Sequence, residues 1–399
     1  MVDLKKILPK RFFSRGNWVQ PVLAVVFSAF LLWRLYRILF VEQIYGPDTW
    51  VKFAISGLIL GSVYAVIALG YTLVYGILFM INFAHGEVMM LGAYTGYFTL
   101  EAFRGAGMLD WNWAGPIVEG IAAGLGASPD AATEAGAIAS LVLVVLIAFV
   151  LGMLVSMLTA IGLERIAYRP LRQAPRLVPL ISAIGASLFL QNAAQLMFGA
   201  TPRVYNNPTL LNRDAGWTLL VGGEWVEYAG VTVWEGKPVL ITYTGVITFV
   251  MSILLMVLLL ILVQRTKMGK AMRAVAEDKQ TAALMGIDID RVIGNTFAVS
   301  GLLAGAAGVL WGLHMGRLNP IVGFLPGLKA FTAAVLGGIG NVAGAMMGGI
   351  TLGVLEALGP GLLGMPFQLK DVLAFSILVL VLIFRPQGIL GEVLSEKKM

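Results

Sequence analysis

A chain of 399 residues that is 58% hydrophobic and only 13% charged, with a mean hydropathy of +0.86, lacks the polar side chains to clothe a water-facing surface. Soluble globular chains run at about 45–50% apolar and about 25% charged, so lipid must be the solvent for most of this one, and a single helical bundle replaces the two or three soluble domains suggested by length. The absence of cysteine excludes disulfides and thiolate chemistry, the presence of only two histidines, His85 and His314, argues against a multi-histidine metal or haem centre, and the net charge of +6 reports membrane orientation more than nucleic-acid binding.

A basic stretch, Lys5, Lys6, Lys10, Arg11 and Arg15, precedes the first apolar run at 18–40. A secretory signal peptide is the competing reading of that run; its length and the lack of an A-x-A site favour a retained anchor. Nine further runs, each near the roughly 20 residues that a spanning helix needs, lie at 52–77, 86–103, 138–162, 178–199, 244–264, 292–314, 324–340, 342–359 and 370–385. The expected fold class is all-α, a polytopic transmembrane helical bundle of about ten spans with two broken or re-entrant helix junctions. Its expected parts are a cytoplasmic basic N-terminus with an extra span (1–50), a membrane-spanning domain (51–391) and a cytoplasmic tail (392–399).

Lys and Arg cluster in 1–17, in 165–176 (Arg165, Arg169, Arg172, Arg176), in 265–291 and after 385. The long loops 104–137 and 200–243 are poorer in them. The positive-inside rule places the basic clusters in the cytoplasm and the long loops outside, which with ten spans puts both termini inside. Loop 200–243, with Pro202, Pro208, Gly222, Gly223 and Gly230 among Val, Thr, Trp and Tyr, reads as turns and a short hairpin.

Many of the 48 glycines recur four residues apart inside the apolar runs, as at Gly57 and Gly61, Gly301 and Gly305, Gly308 and Gly312, or Gly349 and Gly353. Small residues at that spacing share a helix face and let backbones approach closely, which predicts a compact bundle. Two places combine helix breakers with polar groups and carry no Lys or Arg: 76–87, ending in Asn82-Phe83-Ala84-His85-Gly86-Glu87, and 336–344, centred on Gly340-Asn341. Irregular backbone at membrane depth must be buried in protein or line a cavity, and transporters place such breaks in corresponding positions of two halves. Asn82, His85, Glu87, Gly340 and Asn341 are therefore the candidate translocation path or hinge; a polar hinge whose side chains bond freed backbone groups is the plainer account of the same residues. Neither catalytic nor metal-ligating constellations can be assembled, and no cofactor is implied.

The basic segment 265–291 reads RTKMGKAMRAVAEDKQTAALMGIDIDR. A short amphipathic helix is expected over 270–285, with Met272, Val275, Ala282 and Met285 on one side, Lys270, Arg273 and Glu277 on another, and Gly286 as its stop. Its Ala- and Met-rich face suits a protein groove better than lipid headgroups, where bulkier Trp, Phe or Leu would be expected. Gly269-Lys270 and Gly236-Lys237 lack the rest of a G-x-x-x-x-G-K-[ST] phosphate loop.

This segment resembles the coupling loop of ABC-importer permeases, E-A-A-x-x-x-G: Gln280-Thr281-Ala282-Ala283-Leu284-Met285-Gly286 keeps the second Ala and the Gly and lacks the Glu. The stretches GSVYAVIALGYTLVYGILFMINFAHGEVMMLGAY, ERIAYRPLR, LISAIGASLFLQN, MGKAMRAVAED, NPIVGFLPGLKAFTAAVLGGIGNVAGAMMGG and PQGILG, in that order from about 52 to 391, are similar to LivH-type permeases of branched-chain amino-acid ABC transporters. The resemblance implies an inner-membrane permease that works with a second permease of LivM type, two cytoplasmic ATPases and an external binding protein. It implies that Lys270, Arg273, Glu277, Asp278, Ala282 and Gly286 belong to the loop that meets the ATPase. It also implies alternating-access import of a branched-chain or related amino acid, with urea or a short-chain amide as the alternative cargo. From another class, an ion-coupled secondary transporter would need an intramembrane carboxylate, for which Glu87 and Glu356 are the candidates.

Overall fold

The computed structural model describes residues 45–105 and 129–391, apart from 173, 176, 206, 208–210, 212, 213, 229, 230 and 386, together with positions 29, 33, 34, 36 and 37. The basic N-terminus, nearly all of the first apolar run, residues 106–128 and the tail 392–399 lie outside the described residues. Among the described residues from 45 onward, eleven α-helices follow in order: α1 (Pro47–Leu78), α2 (His85–Gly105), α3 (Pro129–Leu163), α4 (Leu177–Phe198), α5 (Tyr243–Arg265), α6 (Lys267–Glu277), α7 (Lys279–Leu284), α8 (Ile289–Met315), α9 (Phe324–Gly337), α10 (Val342–Leu363) and α11 (Lys370–Phe384). Each of the nine apolar runs after the first coincides with a helix. Seven of these, α1, α3, α4, α5, α8, α10 and α11, are long and apolar enough to cross a membrane, and α9 is a shorter apolar helix. The chain is a multi-pass helical membrane bundle.

Helix starts follow side chains that can accept orphan backbone N–H groups. Thr242 Oγ1 accepts from Gly245 N–H at 3.2 Å ahead of α5, and Asp288 Oδ1 accepts from Arg291 N–H at 3.0 Å ahead of α8. Packing between helices follows the glycine spacing. A Cβ on Gly57 would stand 2.9 Å from Val354 Cα, and one on Gly61 would stand 2.8 Å from the Ile350 carbonyl, so α1 and α10 touch backbone to backbone. Gly301 and Gly305 give α8 the same closeness to α3, and Gly308 lets it approach α2 along Met89–Ala93. Close backbones maximise dispersion contact where lipid offers no hydrophobic drive between helices.

The two ends of the bundle differ in charge. Arg169 and Arg172, in the turn after α3, both pair with Asp290 at the start of α8, and Arg172 also pairs with Glu164. Thus the basic clusters 165–176 and 265–291, more than a hundred residues apart in sequence, meet at one end. At the other end stands a hairpin longer than the turns expected from sequence: β2 (Gly216–Tyr228) and β3 (Val231–Thr242) pair antiparallel, with an irregularity between Val221 and Gly223. Gly222 there rests on Pro47 at the start of α1, and Trp217 meets Tyr243 edge-on at 5.0 Å. A two-residue strand β1 (Arg203–Val204) pairs with β4 (Arg317–Leu318).

Candidate functional site

Both sequence-predicted breaks are real interruptions. Helix α1 ends where Phe79 takes a left-handed backbone (φ 54°) while its N–H still reaches the Tyr75 carbonyl at 2.8 Å. Residues 79–84 then run outside helix, and α2 restarts at His85. The His85 ring packs edge-on against Tyr71 at 4.8 Å, and its Nδ1 lies 3.3 Å from Ser300 Oγ. Tyr71 is seven residues before the end of α1, about 10 Å at 1.5 Å per residue, so the interrupted chain folds back along α1 and α2 begins inside the bundle. Ser300 gives its proton to the Gly70 carbonyl at 3.1 Å, so the imidazole must be the donor in any bond to that hydroxyl. Asn82 is held by the Tyr168 hydroxyl, which donates to Oδ1 at 2.6 Å.

Asn82, His85 and Glu87 are all buried, yet they face different neighbours. Glu87, third residue of α2, turns to α4: Gln191 Nε2 donates to Oε1 at 2.7 Å and Ser187 Oγ at 3.4 Å. Its other oxygen, Oε2, has no hydrogen-bond partner among the described residues. It lies 3.0 Å from where a Cβ of Gly323 would stand, beside the start of α9. Glu87 therefore sits at two helix N-termini at once, its own and that of α9. Each carries roughly half a positive charge, which offsets the cost of a carboxylate buried there.

The second break, Gly338–Asn341, is compact. Asn341 Oδ1 accepts from Gly344 N–H at 3.1 Å, capping α10, while its Nδ2 donates to the Leu390 carbonyl at 2.9 Å. Gly340 is exposed. Asn341 thus makes its bonds away from Asn82, His85 and Glu87. The two breaks nevertheless share one cleft, lined by Ile81 from the first, Ile339 from the second, and Tyr71, Tyr75, Phe331 and Ala334 between them.

The basic-end segment departs from the single helix expected over 270–285. It is two helices, α6 and α7, separated at Asp278, whose extended backbone (φ −153°) breaks the run. The Met/Ala face points the other way from expectation as well. Met272, Val275 and Ala282 are buried against Val74, Ile77, Tyr168, Val292, Ile293 and Phe297 of their own chain. Lys270, Arg273, Glu277 and Asp278 are exposed. What the loop presents outward is its tip: Leu284 is 88% and Met285 78% exposed, next to Gly286 at φ +82°. Helical periodicity identifies residues that share a face; it does not say whether that face meets a partner or the chain itself.

Asp278 caps α7, accepting at Oδ1 from the N–H groups of Gln280 (2.8 Å) and Thr281 (3.2 Å) and at Oδ2 from the Thr281 hydroxyl (2.6 Å). Those bonds, the Thr281 hydroxyl first, hold its carboxyl below the ordinary 3.8. A lowered value favours the ionised, capping form in the folded state, so the contribution is complete above pH 3.8 and fades as the pH falls through the lower folded value. Amide exchange at Thr281–Leu284, corrected for intrinsic rate, should be flat from pH 7 to about 5 and accelerate in stronger acid. Asp278→Ala should exchange fast throughout; a variant as protected as the wild type would show that the cap does not hold α7.

A second polar cluster surrounds Glu356, the other carboxylate that the sequence places in the membrane. Lys329, in the middle of the apolar α9, is 5% exposed and reaches Glu356 of α10 (2% exposed) at 2.7 Å and Asp371 of α11 at 2.6 Å. Glu356 also accepts from the Tyr64 hydroxyl at 3.1 Å, and Lys370 stands 3.5 Å away. A lysine inside an apolar run was the available signal. The cluster ties α1, α9, α10 and α11 together and leaves Glu356 ion-paired.

Residues 53–382 match the family model described as branched-chain amino acid transport system / permease component. The chain is 42% identical over 345 residues to the high-affinity branched-chain amino acid transport system permease protein BraD of Pseudomonas aeruginosa, covering 86% of this chain and 96% of that one. It is 41% identical over 342 residues to the corresponding protein LivH of Escherichia coli and 40% identical over 343 residues to that of Salmonella typhimurium, with the same coverage. No solved structure matches.

Proposed function

This chain belongs to the permease components of branched-chain amino acid transport systems, and from that premise we propose that it is the membrane-spanning half of an ATP-driven importer of branched-chain amino acids, coupled to its ATPase through the exposed tip of the α6–α7 segment. The family places it in a transport complex. The specific partners proposed are a second, similar permease, two ATP-binding subunits and an external binding protein, with the membrane being the bacterial inner membrane and the basic end facing the cytoplasm. No phosphate loop occurs in the sequence, so ATP hydrolysis belongs to the partners.

One observation carries the coupling assignment. Two bulky apolar side chains, Leu284 and Met285, stand almost fully exposed at the end of the bundle that also gathers the basic clusters. Single exposed apolar residues need no explanation, but a Leu-Met pair on a helix whose opposite face is firmly seated is an anchor without a socket. Met suits an adaptable contact. The seated face, Met272, Val275 and Ala282, turns the tip into a rigid extension of α1 and α8. Of the two carboxylates that ion coupling would use, Glu356 is held by Lys329, which leaves that reading only Glu87.

The test is Leu284→Asp with Met285→Asp in the co-expressed complex. Both positions are solvent-facing, so the chain should fold and insert normally. ATP-dependent leucine uptake should fall at least tenfold, and the ATPase subunits should wash away on purification, as expected when two anchor residues worth about 1–2 kcal/mol each are lost. Gly286→Arg should act in the same direction, because a side chain in the left-handed region costs about 1–2 kcal/mol at the tip. Undiminished uptake with the ATPases still bound would refute the docking assignment.

A further inference from the structure

A pocket of about 260 Å³, open on the side of the half-exposed Ile184, Leu188 and Phe324, lies between α4 and α9 and is also lined by Tyr71, Phe83, Ser187 and Leu328. Six of these side chains are aliphatic or aromatic; the seventh, Ser187, is the polar point in the wall besides the Tyr71 hydroxyl. Directly behind Ser187 stands Glu87, 1% exposed, toward whose Oε1 the Ser187 hydroxyl donates at 3.4 Å, with Gln191 fixing the same oxygen at 2.7 Å. The carboxylate's second oxygen has no partner among the described residues. An apolar pocket whose wall carries two hydroxyls, one of them bonded to a buried carboxyl group, matches a small molecule that has a branched aliphatic body and one cationic head.

We propose that this cavity receives the side chain of an aliphatic amino acid during passage, and that the cargo's ammonium donates to Ser187, whose own proton is held by Glu87. Resting on the importer reading above, this assigns the cargo's seat within the same path. Ser187 is the contact residue. Glu87 is a positioning residue: by accepting the serine proton it orients the hydroxyl so that its lone pairs face the cavity. Ile184, Leu188, Phe324 and Leu328 surround the aliphatic body, and discrimination among side chains rests with them. Neighbouring methylenes in such a pocket change affinity by only about tenfold to two-hundredfold, which suits a permease that accepts several related side chains.

The experiment uses the whole transporter in proteoliposomes with its binding protein, a diazirine analogue of leucine as photoprobe, and two competitors: 3-methylbutylamine, which keeps the ammonium and lacks the carboxylate, and 4-methylpentanoate, which does the reverse. Under turnover, the probe should label peptides containing 184–188 and 324–328, and the amine should suppress labelling where the acid does not. Ser187→Ala and Glu87→Gln should each raise the half-saturating leucine concentration roughly tenfold or more, the loss expected for one hydrogen bond to a charged group. Maximal uptake and complex assembly should change little, a split that a merely structural role would not produce. Leu328→Trp, which fills the cavity without touching Glu87, should abolish labelling there. Labelling elsewhere in the chain, or equal suppression by the acid, overturns the proposal while leaving the importer reading intact. If the wild-type complex shows no ATP-driven leucine uptake, the importer reading fails and this inference fails with it.

Discussion

Replacing Lys329 with methionine should destabilise the folded chain by about 3–5 kcal/mol, the cost of stripping the partner from a buried charge. Glu356 would remain 2% exposed with only the Tyr64 hydroxyl and the more distant Lys370 to balance it. Lys370 is 45% exposed and 3.5 Å away, so it screens rather than replaces the 2.7 Å contact. The double variant Lys329→Met/Glu356→Met should recover most of the loss, because two apolar side chains of similar length in place of a buried pair are often neutral. Thermal unfolding followed by size-exclusion chromatography of detergent-solubilised protein measures both. A single variant as stable as the wild type would mean that the cluster is not what holds α9, α10 and α11 together.

The second large effect concerns Gly61. A Cβ there would lie 2.8 Å from the Ile350 carbonyl oxygen and 2.9 Å from Ile350 Cα. These are backbone atoms of α10 and cannot swing aside. Gly61→Ala should cost about 1–3 kcal/mol, the usual penalty for forcing atoms into a filled space. Gly61→Leu should exceed the margin of most folds, about 5–15 kcal/mol, once α1 and α10 are pushed apart along the seam that also contains Gly57, Gly349 and Gly353. Gly294, in α8, provides the contrast: nothing lies within 4 Å of its would-be Cβ. Gly294→Leu should leave the yield of folded, monodisperse protein unchanged. Equal yields for Gly61→Leu and Gly294→Leu would dismiss the close-packed seam.

Much of this architecture is legible in the amino-acid sequence, for physical reasons. Apolar runs of spanning length mark helices because lipid leaves the backbone no other hydrogen-bonding solution. The four-residue glycine spacing marked the α1–α10 and α8–α3 seams because both demand a bare backbone at the crossing. The breaks at 79–84 and 338–341 were visible as polar and glycine residues between apolar runs. What stayed hidden depends on contacts across long stretches of chain. Ser187 and Gln191 look like ordinary small polar residues of α4, and nothing local says that they reach Glu87 a hundred positions earlier. The Met272–Val275–Ala282 face was recognisable as a face, but its neighbour turned out to be this chain's own α1 and α8. Asp278 looked like one polar residue in a continuous helix; its capping of α7 depends on Thr281 following at the right offset.

The seating of α6 against α1 and α8 bears on how movement could cross the bilayer. Helix α1 has 32 residues, about 48 Å of continuous rise, and Val74 and Ile77 near its end form part of the seat for Met272 and Val275. A rod of that length pivoting near the basic end by about 5° sweeps its far tip through about 4 Å. The hairpin rests on that far tip through Gly222 and Pro47. If the proposed coupling holds, a small displacement at the basic end is geared up along α1 as along a lever arm, and the opposite mouth of the bundle swings farthest.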